Sequence, residues 1–289
     1  VRISSIPRNR GVFLGSNLSD GLTIHHLARG SLATSPEQRR RPIFGYIAAM
    51  SSLAVILPAA GRSTRFSQLP TGAMAALLHP SMKKPFLDLE GQPVWYRAIT
   101  PFLKRSDLAQ VVVAVSPEDQ SWFVDQFRME LASGPIRVVA GGAERADTVE
   151  AGLREISGTV ELVAVHDAAR PLIDPATIET VVQAALRTGA AIPATAIAST
   201  IKRVDAAMRI TETVSRTGLW AAQTPQIARR DWLEEAFAKR GTFQPTDEAQ
   251  LLEQAGFPVE VVAGLASNFK ITTQDDFDLA RAFLAANRQ

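Results

Sequence analysis

The chain of 289 residues contains no cysteine. That excludes a disulfide scaffold, a thiolate nucleophile, an iron–sulfur cluster and a cysteine-type zinc site. Histidine is scarce as well. His25, His26, His79 and His166 are the only four, too few for a His-rich metal centre. A surplus of charge is also missing, since the formal net charge is +2. That figure hides an asymmetry. Residues 1–50 hold seven arginines, no lysine and two acids (Asp20 and Glu37), for a charge of +5, so residues 51–289 carry −3. The main body therefore offers no general nucleic-acid surface. With 46% hydrophobic and 21% charged residues the composition is that of an ordinary globular protein. The length suits two small domains or one large α/β domain with extensions, and either can bury a core without staples.

No hydrophobic period is sustained through residues 1–42, which are rich in Ser and Arg and end in Arg39-Arg40-Arg41-Pro42. Residues 1–50 are expected to be a poorly ordered extension, ahead of one domain spanning 51–289. Met50-Ser51-Ser52 directly precedes the first strong strand and would serve as a start. An organelle transit peptide is the alternative. The expected location is cytoplasmic, or a plastid or other organelle under that alternative. Residues 43–61 are uncharged and long enough to mimic a membrane helix. However, Ser51-Ser52 interrupts the run, and Leu53-Ala-Val-Ile-Leu57 ends in Pro-Ala-Ala-Gly. That pattern reads as a buried strand of a parallel sheet. Neither a membrane nor a nucleic-acid partner is expected.

From Leu53 onward short apolar runs alternate with helical patterns. Strands are predicted at 53–57, 110–115, 136–139, 161–165, 190–195 and 259–262. Helices are predicted at 93–104, 117–131, 145–156, 175–187, 229–238, 246–255 and 274–286. Such alternation implies βαβ crossovers and a mainly parallel sheet covered on both faces. Asp174-Pro175 puts a capping carboxylate before a proline suited to the first helical turn. Thr246-Asp247-Glu248 puts acids at a helix start, where the dipole favours them. Gly189 and Gly256 stand where a left-handed C-terminal cap is needed. One segment, about 200–226, breaks the alternation. Two β-rich pieces, 200–204 and 209–214, flank a polar turn and predict an inserted hairpin arm.

Five motifs carry candidate chemistry. Leu57-Pro-Ala-Ala-Gly-Arg-Ser-Thr-Arg65 follows the first strand, where ligands of open α/β sheets bind. Its small residues Ala59, Ala60 and Gly61 let a phosphate chain approach the backbone, and Arg62 and Arg65 supply charge. It is neither Gly-x-Gly-x-x-Gly nor a P-loop. Lys83-Lys84-Pro85-Phe86 can present a point charge to phosphate, or be a solvated pair. Gly141-Gly142-Ala143-Glu144-Arg145-Ala146-Asp147-Thr148 opens a helix whose amides and Thr148 hydroxyl can read a base or ribose. His166-Asp167-Ala168-Ala169-Arg170-Pro171 follows a strand. Asp167 there is placed to hold Mg²⁺, which takes few carboxylates plus phosphate oxygens. Arg170 could pair with Asp167 or grip an anionic substrate. In Asn268-Phe269-Lys270-Ile271-Thr272, Lys270 between apolar neighbours is a candidate cleft cation, or a strand-edge lysine.

These motifs occur together and in order with Arg216-x-Gly-Leu-Trp-x-x-Gln-Thr-Pro-Gln226 and Thr246-Asp-Glu-Ala249. In that register the chain resembles the 2-C-methyl-D-erythritol 4-phosphate cytidylyltransferase family over about 53–286. The resemblance implies a Rossmann-like, glycosyltransferase-A-like nucleotidyltransferase fold and a homodimer joined through the β-arm. It implies transfer of CMP from CTP to methylerythritol phosphate with release of pyrophosphate, in non-mevalonate isoprenoid biosynthesis, with Mg²⁺ or another divalent cation. It puts Ala59, Ala60 and Gly61 on the nucleotide loop, and Gly142 and Thr148 on the cytidine. Arg65 and Lys84 neutralise the triphosphate. Asp167 holds metal and the sugar-phosphate site, with Arg170 nearby. Thr200 and Lys270 bind substrate or phosphate groups, Lys270 with a catalytic role. Arg216 reaches the acceptor in the partner's site. Because the attacking group is an ionised phosphate oxygen, no strong base is needed, and His166 is expected only to hydrogen-bond locally.

Three departures stand out. About a dozen extra residues near 67–82 lengthen a usually short loop, a candidate lid. Ala143 stands where family members often have Asp, and Ser267 where an acid is frequent. A ribitol 5-phosphate cytidylyltransferase is the nearest alternative function. A non-catalytic nucleotide-binding protein is a second. An NAD-dependent oxidoreductase is opposed by the missing glycine fingerprint.

Overall fold

The structure, a computed structural model, describes residues 52–61 and 83–287. The N-terminal extension, Arg62, Arg65 and the long loop at 67–82 lie outside the described residues.

The order of elements is β1 (Leu53–Pro58), β2 (Asp88–Leu89), β3 (Gln92–Pro93), α1 (Val94–Leu103), β4 (Leu108–Val115), α2 (Gln120–Gln126), α3 (Arg128–Leu131), β5 (Ile136–Ala140) and α4 (Arg145–Arg154). Then follow β6 (Leu162–Val165), α5 (Pro175–Thr188), β7 (Ala190–Ala196), β8 (Ile201–Val204), β9 (Ile210–Val214), β10 (Trp220–Ala222), β11 (Gln226–Arg229), α6 (Arg230–Lys239), α7 (Glu248–Ala255), β12 (Glu260–Ala263) and α8 (Gln274–Ala286).

β1 is buried on both faces, as a central parallel strand must be. Leu53, Val55 and Leu57 join the cluster with Ile99, Phe102 and Val181 of α1 and α5. Ala54 and Ile56 join the opposite cluster with Val149, Leu233 and Leu251 of α4, α6 and α7. The period of two in β1 thus feeds two hydrophobic layers. β1 pairs in parallel with β4 on one side and β6 on the other, and β4 pairs in parallel with β5. The chain moves outward from β1 to β4 and β5, then returns across β1 to β6. Such a reversal of strand order opens a crevice at the carboxyl ends of the strands.

The sheet is less purely parallel than the apolar pattern predicts. β10 and β11 both run antiparallel along β7, and β11 also pairs antiparallel with β6. The register pairs Ala222 with Ala194 but Ile227 with Ala191, so the two pieces form one strand interrupted at residues 223–225. Neither piece has the long apolar run that marked the other strands. β12 takes the far side of β7, in parallel.

The predicted caps form. Asp174 accepts the Thr177 N–H at 2.9 Å. Asp247 accepts the Gln250 N–H at 2.9 Å, so α7 starts two residues later than the predicted 246. Gly189 and Gly256 end α5 and α7 with positive φ. The predicted helix at 117–131 is instead a 3-10 turn, α2 and α3. The break falls at Phe127, whose backbone (φ −112°, ψ 33°) leaves the helical region while its ring packs inward on Phe123 and Trp95. β8 and β9 form the predicted hairpin as a separate two-stranded sheet, but the arm is shorter than the expected 200–226, because β10 and β11 pair into the central sheet. The hairpin turn is held by the Asp205 carboxylate, which accepts N–H bonds from Ala207 and Arg209. Among the described residues no helix is long and apolar enough to cross a membrane.

Phe86, at the end of a 3-10 turn over Lys84–Phe86, is 2% exposed and touches the rings of Trp122, Phe123 and Phe127. Truncating a core Phe removes its transfer energy and leaves a cavity. Phe86→Ala is expected to lower the unfolding free energy by ~3–5 kcal/mol in urea denaturation. A loss below ~1 kcal/mol would contradict this packing.

Candidate active site

The carboxyl ends of β1, β4, β5 and β6 surround a cleft of about 710 Å³. Its lining comes from residues 58–61, 84–85, 116–118, 141–145, 148, 167–169 and 270. Main-chain bonds from Ala59 N to Ala114 O (2.7 Å) and from Gly141 N to Val115 O (2.6 Å) carry the flanking strands into the loops. The glycine loop is tightly wrapped. A Cβ on Gly141 would lie 2.8 Å from the Ala60 Cβ, and one on Gly142 would lie 2.4 Å from the Asp147 Cβ. No side chain fits at either place, and both amides are held within the fold, Gly141 N–H by Val115 O and Gly142 N–H by the Thr148 hydroxyl. Thr148 is buried, and its hydroxyl accepts the Gly142 N–H at 3.2 Å while donating to Glu144 O at 3.0 Å. Thr148 therefore holds the loop's shape as well as lining the cleft. A capping box between Glu144 and Asp147 fixes the start of α4 just below.

Asp167 emerges from the end of β6 with 8% of its surface exposed. A buried carboxylate is costly unless paired. Burial pushes its pKa up, but Lys270, Arg145 and Arg170 outweigh that and hold it well below the usual range. The Lys270 Nζ is 3.0 Å away, and the two guanidinium groups are each at 3.5 Å. The three cations are not equivalent. Arg145 makes a two-pronged contact with buried Glu248 at 2.6 and 3.0 Å. Burial alone would lower its pKa, yet Glu248, Asp167 and Asp247 raise it. Arg170 donates to Asn268 O at 2.7 Å and stands behind Asp167, outside the cleft lining. The Lys270 side chain is 44% exposed and lines the cleft.

The interrupted strand supplies the scaffold behind Asp167. The Asp167 N–H donates to Thr224 Oγ1 at 3.0 Å, and Asn268 Nδ2 donates to Thr224 O at 2.8 Å. Gln226 donates to Asp247 and accepts the Ala249 N–H, which ties the break to α7. The Ile271 N–H donates to Ala169 O at 2.8 Å, so the segment carrying Lys270 is fastened at both ends. Lys84 donates to Thr272 O of that same segment at 3.3 Å.

His166 is fully buried behind this network. Its Nε2 faces the Arg170 carbonyl at 3.2 Å, which only accepts, so Nε2 carries the hydrogen. Nδ1 then accepts from the Thr224 hydroxyl at 2.9 Å. Both ring nitrogens are occupied in the neutral form, and His166 faces no cleft, in line with its expected local role.

Of the residues singled out from sequence, Ala59, Ala60, Gly61, Lys84, Gly142, Thr148, Asp167 and Lys270 converge on the cleft. Arg65 lies outside the described residues. Thr200 and Arg216 lie outside the lining, at the base of the arm, where the Arg216 guanidinium contacts Ala198 O. Sequence reading missed the wall at Ser116–Glu118, although Ser-Pro at the end of a strand was the available signal. It also missed the pairing of Arg145 with Glu248, which are 103 positions apart. No group of three or more metal-ligating side chains occurs among the described residues.

A mostly parallel sheet with a glycine-walled, lysine-bearing cleft at its reversal point defines an α/β nucleotidyltransferase-like domain. The chain belongs to the 2-C-methyl-D-erythritol 4-phosphate cytidylyltransferase family, whose family model matches residues 53–286. It is 38% identical to the enzyme of that name from Rhodopirellula baltica, over 81% of this chain and 95% of the relative. It is 40% identical to the one from Acidobacterium capsulatum, over 80% and 96%. A crystal structure of 4-diphosphocytidyl-2C-methyl-D-erythritol synthase from Anaerococcus prevotii superposes with a TM-score of 0.67 at 26% identity, covering 82% of this chain and 97% of that one.

Burial pushes the His166 pKa from 6.5 down to about 4. Folding favours the neutral ring, so the stabilisation is complete above pH 6.5. It is lost as the pH falls from there through about 4, by at most about 3 kcal/mol. The expected NMR observation is a His166 ring signal that stays in its neutral position down to pH 5. Protonation near pH 6.5 would contradict the burial.

Proposed function

We propose that this chain transfers CMP from CTP to 2-C-methyl-D-erythritol 4-phosphate, giving 4-diphosphocytidyl-2-C-methyl-D-erythritol and pyrophosphate in isoprenoid biosynthesis. Family membership over 53–286 carries the reading, and the cleft chemistry supports it. A phosphate oxygen of the acceptor forms a bond to the α-phosphorus of CTP. The bond from that phosphorus to the bridging oxygen of the β-phosphate breaks, and pyrophosphate leaves with the electron pair. The acceptor oxygen is already ionised, so no side chain has to remove a proton. What the reaction needs is positioning and neutralisation of charge.

The proposed roles draw on the cleft lining and on the family resemblance. The small residues Ala59, Ala60 and Gly61 let the phosphate chain approach the backbone, and Gly142 with Thr148 holds the cytidine. Lys84 and Lys270 neutralise charge at the α-phosphorus and on the leaving group, and the resemblance gives Arg65, outside the described residues, the same task. Lys270 suits this better than its neighbours. Arg145 and Arg170 are tied to Glu248 and Asn268, whereas the Lys270 ammonium sits on a long stem with 44% exposure. Asp167, ionised and at the cleft, fits a Mg²⁺ ion that takes its other ligands from water and phosphate oxygens. When bound, the metal would offset the negative charge of the phosphates. Arg170 acts on substrate through Asp167.

The active form is proposed to be a homodimer joined through the arm, with Thr200 and Arg216 serving the acceptor in the partner's cleft. The arm's apolar side chains support this. Met208 is 78% and Ile210 64% exposed, and such patches mark contact surfaces. A cytoplasmic location follows from the same reading.

Pyrophosphate release, followed with CTP and Mg²⁺, tests the reaction. Release is expected with methylerythritol phosphate and not with ribitol phosphate. Release with ribitol phosphate alone would overturn the acceptor. Lys84→Ala and Lys270→Ala should each reduce kcat ~10²–10³-fold, as for loss of one donor to developing charge. Unchanged rates in either would remove that role. For the dimer, mixed chains bearing Arg216→Ala or Lys84→Ala should recover part of the activity that each homogeneous variant lacks. No recovery in verified heterodimers would exclude the shared site.

A further inference from the structure

Lys83 precedes a cleft lysine in sequence, yet it does not line the cleft. Its backbone is extended (φ −91°, ψ 162°), so its side chain and that of Lys84 leave the chain on different sides. The Lys83 ammonium lies 2.6 Å from Asp119 Oδ2 and 2.8 Å from Ser116 Oγ. Ser116 Oγ in turn donates to the same Asp119 oxygen at 2.5 Å. Asp119 is 2% exposed and Ser116 5%. A carboxylate so buried needs a cation and hydrogen bonds, and Lys83 and Ser116 provide both. The Lys83 charge is therefore engaged by the protein and not presented to a ligand.

The consequence falls on the next residue. We propose that Lys83 is a positioning residue, which fixes Lys84 in the cleft through Asp119 and Ser116. The inference rests on the role given to Lys84 above. Lys84 stands between two anchors. On one side is the Lys83–Asp119 pair. On the other is Phe86, whose N–H closes the turn onto Lys83 O at 2.8 Å and whose ring lies 5.2 Å from that of Phe123. Both anchors lead to the same element, since Asp119 immediately precedes α2 and Phe123 lies within it. The pair also joins two parts of the lining, residues 84–85 and 116–118. A lysine has a long stem with considerable rotamer freedom. Fixing its backbone on both sides restricts where the ammonium can go, and misplacement of such a group by about an ångström can cost ~10²-fold in rate.

The test is a kinetic cycle on the full chain with CTP, Mg²⁺ and methylerythritol phosphate, read as pyrophosphate release. Lys83→Met should lower kcat ~10-fold with the KM for CTP within ~2-fold, the pattern of a lost transition-state contact. Lys83→Arg should recover most of that loss. In a Lys84→Ala background, adding Lys83→Met should cost less than ~2-fold, because the two act as one unit. Equal losses with and without Lys84 would overturn the proposal, as would a normal kcat in Lys83→Met. If Lys84→Ala alone leaves turnover unchanged, the role of Lys84 falls, and that single variant shows it separately from the cycle. Urea midpoints for every variant identify loss of fold. Ser116→Ala, which keeps the ion pair, offers the same cycle with a milder change should Lys83→Met fail to fold.

Discussion

The buried charge of Asp167 is the constraint around which the cleft is arranged. Asp167, at the end of a central strand, is only 8% exposed, and burial works against its ionisation. It is nonetheless held ionised, because three cations from three parts of the chain face it. Each cation then has to be placed. Arg145 comes from the first turn of α4, Arg170 from the loop after β6, and Lys270 from the segment before α8. The polar groups behind them follow from the same requirement. Thr224 takes the Asp167 N–H, Asn268 is bonded to Thr224 and accepts from Arg170, and Glu248 takes Arg145. A break in the antiparallel strand at residues 223–225 brings Gln223 and Thr224 to this network.

How much of this was legible in the sequence depended on range. β1, β4, β6 and β7 announced themselves as short apolar runs, because a strand buried on both faces has little room for polar residues, and the partly exposed β5 and β12 were legible from their valine pairs. Helix starts at Pro175 and near Glu248 were legible because caps are local. β10 and β11 were not, since Trp-Ala-Ala and Gln-Ile-Ala-Arg carry neither alternation nor an apolar run, and their pairing partners are distant. The helix predicted at 117–131 broke at Phe127 because tertiary packing of an aromatic ring outweighed helical propensity over one turn. In the site, glycines and isolated charges at strand ends could be picked out. Their partners could not: the mates of Lys83 and Arg145 are 36 and 103 residues away, and spacing carries no trace of them.

Two lysines and two arginines illustrate why residue type alone leaves roles undecided. In sequence, Lys83 and Lys84 are a pair of like residues, and Arg145 and Arg170 are each candidates to grip an anion. Folding separates them. Lys83 is taken by Asp119, Arg145 by Glu248, and Arg170 by Asp167 with the Asn268 carbonyl. Lys84 and Lys270 stay on the cleft surface, connected through the one segment that carries Lys270 and Thr272. The cations that neutralise buried acids and those left on the cleft surface are thus sorted by the acceptors that lie near each.

Around Asp167 the sorting follows the physical difference between the two side chains, although Lys83 on Asp119 shows that an ammonium can also be a fixed partner. A guanidinium is planar, always charged and able to satisfy two acceptors at once, which suits a fixed bridge between buried groups. An ammonium is a point charge on a long stem, and its contacts can be exchanged without loss of shape. In the role proposed for it, Lys270 would move from Asp167 to a phosphate while Arg145 and Arg170 remain. Two cations still face the carboxylate after that exchange, so Asp167 stays ionised and the scaffold behind it keeps its geometry. Had the arginine and lysine positions been reversed, the exchange would break a two-pronged bridge each time a ligand bound. With arginine in the frame and lysine at the surface, the Asp167 cluster would serve both stability and the proposed turnover.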